Sequence, residues 1–186
     1  TLLLLLTPST KEKVALKKIR KKIEYVSVIL PPETVKNPDS EKAKSLYEKA
    51  KKIFSKDTAG SYKNTLSLLQ KALNFFPADP AALSLFAKSY LYLWDLSKKD
   101  DDFLNAVRLL IDRALKIAPD HVDSLLAKTL WLIRKKERAE AQKLISRLIQ
   151  ENPYHGEAFL IEGELFFLQS LWNKAIASFQ KTLELD

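Results

Sequence analysis

The sequence has no cysteine, no methionine and only 3 glycines among its 186 residues. Without cysteine the chain has no disulfide, no thiolate metal ligand and no cysteine nucleophile. So few glycines leave little room for a glycine-rich phosphate loop or a dinucleotide-binding motif, and neither pattern occurs. No set of Ser, His and Asp stands in a recognisable catalytic context. We therefore predict a chain that is not an enzyme and that needs no cofactor.

The sequence contains no methionine, so it has no residue that a start codon would encode. Because a natural chain begins at a start codon, we expect this sequence to be an excised or processed piece of a longer protein. The missing cysteines do not assign a compartment. The interpretation that we favour is a cytoplasmic protein rather than a secreted one, with membrane association as the alternative.

Abundant leucine, alanine, lysine and glutamate, with 46% hydrophobic residues, predict an all-α protein with enough apolar side chains for a core. The formal net charge is +8. Residues 1–60 hold 14 Lys or Arg against 7 Asp or Glu, whereas residues 61–186 hold 17 against 16. The basic character therefore belongs to the N-terminal third, and the remainder is nearly neutral.

A repeat of 34 residues runs through the C-terminal half of the sequence. Four pairs of positions share this separation: Pro119 and Pro153, His121 and His155, Ala141 and Ala175, and Ile145 and Phe179. The most complete copy of the pattern consists of Phe159, Gly163, Phe166, Trp172, Ala175 and Phe179. This copy places large, small and aromatic residues on a first helix, then small and aromatic residues on a second. In this pattern the sequence resembles the tetratricopeptide repeat family.

The resemblance implies a right-handed superhelical array of antiparallel helix hairpins, an α-solenoid. We predict four hairpins, over residues 39–77, 78–119, 120–153 and 154–186. The second carries an insertion of about eight residues around Ser97–Asp102, and the third has Thr129 where the family has a smaller residue. The fourth stops at Asp186, just before the expected closing proline, so we expect its open face to be covered in the intact protein or in an oligomer.

Residues 1–38 form a predicted segment ahead of the array. Its apolar tail, Leu2–Leu6, is far shorter than the roughly 18 residues of a membrane-spanning helix. A basic amphipathic helix follows, with an apolar stripe from Leu16 to Leu30 that ends at Pro31. Its basic patch consists of Lys17, Lys18, Arg20, Lys21 and Lys22. We interpret the patch either as a solvated helix face or as a contact for an anionic membrane surface or an acidic protein. Nucleic acid is disfavoured because interleaved aromatic residues are lacking.

Ligands of the tetratricopeptide repeat family typically bind the concave face, which the first helix of each hairpin lines. Helix phase predicts a partner-binding groove on that face, formed by Tyr47, Lys51, Lys88, Leu91, Leu126, Leu130, Ile133, Leu160, Glu164 and Phe167. Most of these residues are apolar. The subgroup that binds acidic C-terminal chaperone peptides uses Lys, Arg and Asn there, so a carboxylate clamp is disfavoured. The leading hypothesis is a non-catalytic scaffold or adaptor that binds a partner peptide or helix in this groove.

Other interpretations stay open. In one, a following helix or the N-terminal segment already fills the concave face, because a large exposed apolar patch is unusual on a soluble monomer. In another, the chain is a self-assembly module whose open end docks on a second copy. In a third, it is a membrane-tethered or nucleic-acid-associated regulator that uses its basic helix.

Two features could suggest a metal site, and neither fits one. His121 and His155 occupy the same position of adjacent hairpins, on the order of 10 Å apart, whereas the ligands of one ion lie about 2 Å from it. The run Asp100–Asp102 lacks the alternating ligands and the glycine of a calcium loop. We predict helix-start residues and a solvated turn, with no metal.

Overall fold

The computed structural model describes residues 26–94 and 100–185 of the chain. The helices in these ranges are α1 Ser40–Phe54, α2 Ala59–Phe75, α3 Pro80–Tyr92, α4 Asp101–Ile117, α5 Val122–Arg134, α6 Arg138–Glu151, α7 Gly156–Leu168 and α8 Trp172–Leu185. Some predictions lie outside the described residues: the apolar tail Leu2–Leu6, the basic patch Lys17, Lys18, Arg20, Lys21 and Lys22, and residues 95–99 of the insertion. The all-α prediction is confirmed for the part of the chain that is described.

Aspartates cap the starts of three helices, α1, α3 and α4. The Asp39 carboxylate accepts a hydrogen bond from the Lys42 backbone N–H at 2.9 Å, and Asp100 does the same for the N–H of Phe103 at 2.9 Å. Asp79 also caps its helix, and Pro80 follows it in the first turn, where the missing N–H of proline would have no helical partner. These caps set where the three helices begin.

Consecutive helices pair into four antiparallel hairpins, α1 with α2, α3 with α4, α5 with α6, and α7 with α8. The first helices α1, α3, α5 and α7 also pack against one another along the array. The apolar faces meet in one continuous core, to which Leu69, Phe86, Leu110 and Ile145 contribute fully buried side chains. The predicted right-handed array of antiparallel hairpins is therefore the observed architecture.

A small residue lies where the two helices of each hairpin cross. It is Ala50 in α1, Ala87 in α3, Thr129 in α5 and Gly163 in α7, and all four are buried. Thr129 is tolerated because its hydroxyl donates to the Leu125 carbonyl at 3.0 Å, so that its polar atom is satisfied within its own helix. The departure from the family pattern in the third hairpin therefore does not open the core.

Residues 26–34, which we call the strap, lie against α3 and α4 without forming a helix. The backbone N–H of Ile29 donates to the hydroxyl of Tyr90, a side chain that is otherwise buried in the core. The predicted apolar helix stripe that ends at Leu30 is therefore wrong from residue 26 onwards. The physical reason is the run of β-branched residues before two prolines, which favours an extended backbone over a helix.

Arg113 of α4 holds the strap in place. Its guanidinium donates to the carbonyl oxygens of Pro31 at 3.2 Å, Pro32 at 2.6 Å and Glu33 at 3.2 Å. It also donates to the carbonyl of Pro77, before α3, at 2.9 Å. The rigid fork of guanidinium donors suits a cluster of backbone carbonyls better than a lysine ammonium would.

We expect Arg113→Ala to release the strap and to lower the free energy of unfolding by about 2 kcal/mol, because several partly exposed hydrogen bonds are lost together. Hydrogen exchange at the Ile29 amide should accelerate, whereas exchange in the core should follow only the global stability. The matched control is Arg108→Ala on the same helix, where an exposed pair with Asp112 and a cation–π contact with Trp131 are removed at a cost of about 1 kcal/mol or less. Unchanged exchange at Ile29 would contradict this account of the strap.

Candidate functional site

Four residues of the predicted groove are core residues. Leu91, Leu126, Leu130 and Ile133 belong to the continuous core, and Leu126 and Leu130 are both 0% exposed. The expectation that they line an open groove is corrected here. The first helices α3, α5 and α7 pack side by side, and these side chains lie within the resulting core rather than on a free surface.

An aromatic cluster joins the first two hairpins. The rings of Tyr62 and Tyr92 are stacked with centroids 5.2 Å apart, and Phe54 packs against both rings. Tyr47 is half-buried nearby, and burial, followed by the negative charge of Asp123, raises the pKa of Tyr47 to about 12. Of the residues predicted for this half of the groove, Lys51 is the exposed one.

Lys88 lies on α3 and is only 3% exposed. Its ammonium donates to Asp123 Oδ1 at 2.9 Å and to Glu157 Oε2 at 2.7 Å. The three residues belong to α3, α5 and α7, so that one side chain connects three successive hairpins. No Cα atom of α3 lies within 8 Å of a Cα atom of α7. The ion pair between Lys88 and Glu157 therefore connects two hairpins whose backbones are not in contact.

The charges of this cluster stabilise one another. Burial alone would lower the pKa of Lys88, but the carboxylates of Glu157 and Asp123 outweigh it and hold that pKa above its usual value of 10.5. Burial alone would raise the pKa of Asp123, and the Lys88 ammonium reverses this, so that the pKa lies below 3.8. Lys88 is thus a charged, fully paired residue rather than a free cation for a ligand.

A second ion pair joins α5 to α7. The guanidinium of Arg134 donates to the carboxylate of Glu164, another residue of the predicted groove. About a quarter of the Glu164 side chain remains exposed, at 27%. Lys88 and Arg134, both buried or largely buried on this side of the array, therefore hold carboxylates of the chain itself.

The fourth hairpin departs from this pattern of burial. Leu160 and Phe167 of α7 are 39% and 53% exposed. The residues 34 positions earlier, Leu126 and Ile133, are buried in α5. The same two positions therefore lie in the core in the third hairpin and at the surface in the fourth.

Helix α8 continues this exposed apolar surface. Trp172, Ile176 and Leu183 are all exposed, and the ring of Trp172 packs edge-on against Phe167 with centroids 5.2 Å apart. Leu183 is 79% exposed, whereas Ile149, at the equivalent position of α6, is partly buried against the core. Leu183 is thus exposed where the matching Ile149 is partly covered, whereas the α6 equivalents of Trp172 and Ile176 are the polar residues Arg138 and Gln142.

Gly163 and Phe179 bring these two helices together. A Cβ atom on Gly163 would lie 2.4 Å from Phe179 Cε1, so that only glycine permits this close crossing of α7 and α8. The Phe179 ring is half-buried at this crossing. We call the exposed apolar surface of the two helices the α7–α8 groove, and its exposed walls are Leu160, Phe167, Trp172, Ile176 and Leu183.

The α7–α8 groove includes residues on α7 that the sequence analysis names and residues on α8 that it does not. Helix phase predicts Leu160, Glu164 and Phe167 on α7, and they do lie together on one side of it. Trp172, Ile176 and Leu183 are absent from the prediction. Their spacing of 4 and 7 residues marks one helix face and is the signal that could have identified them.

A separate cleft of about 610 Å³ lies between the strap and α4. Exposed apolar side chains at its walls include Leu30, Leu109 and Ile117. Leu109 is 57% exposed, which closely matches Phe167, and it lies on a second helix away from the α7–α8 groove. Leu109 is therefore a suitable control position for substitutions in the α7–α8 groove.

The two histidines lie at helix starts, as the sequence predicts. The ring of His121 accepts a hydrogen bond from the Ser124 backbone N–H, as a residue at a helix start does, and His155 lies at the start of α7. Within residues 26–94 and 100–185, no group of three or more His, Asp or Glu side chains is placed to hold a metal ion. No helix in the same ranges is long and apolar enough to cross a membrane.

These features define an α-solenoid of helical hairpins with apolar side chains exposed on its last hairpin. Compared by sequence, the chain matches no family model and no curated protein. Its structure is similar to the first TPR of Spaghetti (RPAP3), solved bound to the HSP90 peptide SRMEEVD, with a TM-score of 0.53 and 20% identity over 74% of this chain and 98% of that one.

Two further structures are similar at comparable levels. The first TPR domain of human RPAP3 has a TM-score of 0.51 and 16% identity over 78% of this chain and 98% of that one. TTC0263, a thermophilic TPR protein of Thermus thermophilus, has a TM-score of 0.50 and 17% identity over 77% of this chain and 91% of that one. The chain therefore has the tetratricopeptide repeat fold, as the 34-residue pattern implied.

Proposed function

We propose that this chain is a protein-interaction scaffold and that it binds a segment of another protein in the α7–α8 groove. The observation that carries the proposal is the exposure of Leu160 and Phe167, whose equivalents in α5 are buried. Covering apolar surface stabilises a complex by roughly 25 cal/mol per Å², and a continuous exposed apolar surface is typical of a binding site. The structure of the first TPR of Spaghetti (RPAP3) holds a peptide, so the fold is compatible with this use.

The partner that we propose is apolar rather than acidic. The peptide SRMEEVD carries three acidic residues. In this chain Lys88 and Arg134 already hold carboxylates, and the partly exposed acids on the same side are Asp123, Glu157 and Glu164. An incoming acidic peptide would meet these carboxylates without a free cation at the centre of the surface, so we expect SRMEEVD not to bind here.

Self-assembly is a second candidate because it would use the same surface. Two α7–α8 grooves that faced each other across a two-fold axis would bury the same apolar side chains. Light scattering of the purified chain distinguishes the two functions. A monomer at all concentrations supports partner binding, whereas a dimer that dissociates in the Phe167→Asp variant would replace the scaffold proposal by self-assembly.

A site-specific photo-cross-linker tests partner binding in cells that express the chain. Benzoylphenylalanine in place of Phe167 should give discrete adducts with another protein, and Trp172→Asp in the same chain should abolish them. The same cross-linker in place of Leu109 should not give these adducts. Identical adducts from both positions, a product with the mass of two copies, or a cross-link from position 167 to residues 1–38 of the same chain would each contradict the proposal.

A further inference from the structure

We infer that the α7–α8 groove binds an amphipathic α-helix of another protein, seated as the first helix of one more hairpin would be. The inference rests on the proposed function and specifies the class of partner. The bound helix should present a basic residue, then a small residue, then aliphatic residues three and seven positions after the small one, as α7 does with Ala158, Ile161 and Leu165.

The internal interfaces of the array provide the template. The equivalent grooves of the second and third hairpins are filled by the next first helices, α5 and α7. Each first helix that follows a hairpin buries three residues at the same spacing, three and then four positions apart. The residues are Ala82, Leu85 and Ser89 in α3, Ser124, Ala127 and Trp131 in α5, and Ala158, Ile161 and Leu165 in α7.

The first helix of the array has no such face. At the equivalent positions of α1 lie Ser45, Glu48 and Lys52, and all three are exposed and polar. A second copy stacked head to tail would place these polar groups against the apolar walls of the α7–α8 groove, with desolvation uncompensated by hydrogen bonds. The geometry therefore favours a helix of a different protein over the first helix of a second copy.

The length of the bound helix follows from the same template. Helices α3, α5 and α7 each have 13 residues. At about 1.5 Å of rise per residue, a helix of this length extends for about 20 Å. The groove accepts apolar side chains along this length, from Trp172 near one end to Leu183 near the other.

Charge at one position adds a preference for a basic residue. Lys88 in α3 contacts Asp123 in α5, the residue immediately before the small Ser124. The equivalent of Lys88 in α7 is Glu164, so that the sign of the charge is reversed. Glu164 pairs with Arg134, and the exposed 27% of its side chain can accept a second cation, as Lys88 itself contacts two carboxylates. A helix docked in the same way would bring the residue before its small position close to Glu164, where Lys or Arg is complementary and Glu is repelled.

Fluorescence anisotropy with synthetic peptides of about 16 residues tests the inference on the purified chain. The probe is a soluble alanine- and glutamine-rich helix with lysine, alanine, leucine and leucine at positions i−1, i, i+3 and i+7. A second peptide has glutamate at i−1. A third keeps the lysine and moves the leucines to i+1 and i+5, which places them on a different face of the helix.

The first peptide, called the lysine peptide, should bind the chain. The second, the glutamate peptide, should bind about fivefold more weakly. The third, the displaced-leucine peptide, should bind at least about a hundredfold more weakly than the lysine peptide. Phe167→Asp should reduce binding of the lysine peptide at least about tenfold, and Leu109→Asp should leave it unchanged. Circular dichroism of both variants checks that the fold is retained. In the Glu164→Lys variant, the order of the lysine and glutamate peptides should reverse.

Each outcome bears on one of the two claims. Absence of binding by the lysine peptide, or equal binding of the displaced-leucine peptide, would overturn the helix inference. If cross-linking at position 167 still captured another protein, the scaffold proposal would stand and only the class of partner would be wrong. Failure of both experiments would overturn both claims. An unchanged peptide order in Glu164→Lys would remove the basic residue from the proposed pattern.

Discussion

Lys88→Met is expected to lower the free energy of unfolding by about 3 kcal/mol, although methionine is apolar and its side chain is similar in length to that of lysine. Removing the ammonium leaves the carboxylates of Asp123 and Glu157 facing each other without a cation. Breaking a buried pair in this way costs about 3–5 kcal/mol, and we expect the lower end because both carboxylates are partly exposed. Urea denaturation of the wild-type and variant chains measures the loss.

The same substitution should also reduce cooperativity. Because Lys88 connects α3 directly to α7, its loss leaves the fourth hairpin attached through the third alone. In the Lys88→Met chain we expect the α7–α8 hairpin to be less protected from hydrogen exchange than α3. The milder control is Asp123→Asn, which leaves Glu157 to pair with Lys88. A loss below about 1 kcal/mol in Lys88→Met would contradict the assigned role.

The ion pair also predicts how stability depends on pH. The pKa of Asp123 is held below 3.8 in the folded chain, so its contribution is present above about pH 4 and is lost as the pH falls through the folded pKa. The pKa of Lys88 is raised above 10.5, so its contribution is present below that pH and is lost as the pH rises through the folded pKa. Lys88→Met should flatten both limbs of the measured stability curve, and steepening of either limb would contradict the assignment.

Gly163→Leu is expected to destabilise the fourth hairpin by at least about 3 kcal/mol, and Gly163→Ala by about 1–2 kcal/mol. The added Cβ would lie 2.4 Å from Phe179 Cε1 and 2.5 Å from Phe179 Cδ1, so the two helices must separate or the ring must leave its place. The helix propensity of alanine offsets about 1 kcal/mol of that strain. Thermal unfolding followed by circular dichroism measures both variants.

Two further variants control this prediction. Gly60→Ala in α2 adds a Cβ whose nearest neighbour, Thr58 Oγ1, is 4.0 Å away, so we expect a small gain in stability. Phe179→Leu should recover part of the loss in the Gly163→Ala chain because it removes the clashing ring atoms. If Gly163→Leu were as stable as the wild-type chain, the close crossing of α7 and α8 would be refuted.

The helices and their pairing could be predicted because local signals and the repeat agree. The spacing of Pro119 and Pro153 identifies the period, and Asp39 and Asp79 mark helix starts through hydrogen bonds that their own sequence neighbours complete. Gly163 and Phe179 occupy two positions of the repeat pattern, and they lie where α7 and α8 cross. Such features depend on residues close in sequence or at a fixed separation.

The sequence alone does not predict which residues of the predicted groove are exposed. Helix phase puts Leu126, Leu130 and Leu160 on the same side of their helices, but it does not say which of them a neighbouring helix covers. That distinction depends on the packing of α3, α5 and α7 in three dimensions. The partners of Lys88 are 35 and 69 residues away, which no local pattern indicates.

The strap shows a different limit. Apolar residues at helical spacing predict a helix through Leu30, whereas the hydrogen bond from Ile29 to Tyr90 and the carbonyl contacts of Arg113 stabilise a non-helical path. The β-branched residues and the proline pair favour this outcome locally, and the partners that fix it lie more than 60 residues further along the chain.

The central claim is that the α7–α8 groove is the surface that binds a partner helix. Backbone amide chemical shifts of the ¹⁵N-labelled chain, titrated with the lysine peptide, test it most directly. We predict shift changes that concentrate on α7 and α8, including Phe167 and Ile176, with little change in α1 or the strap. Changes confined to the aromatic cluster or to the cleft beside the strap, or no change at high peptide concentration, would contradict the claim.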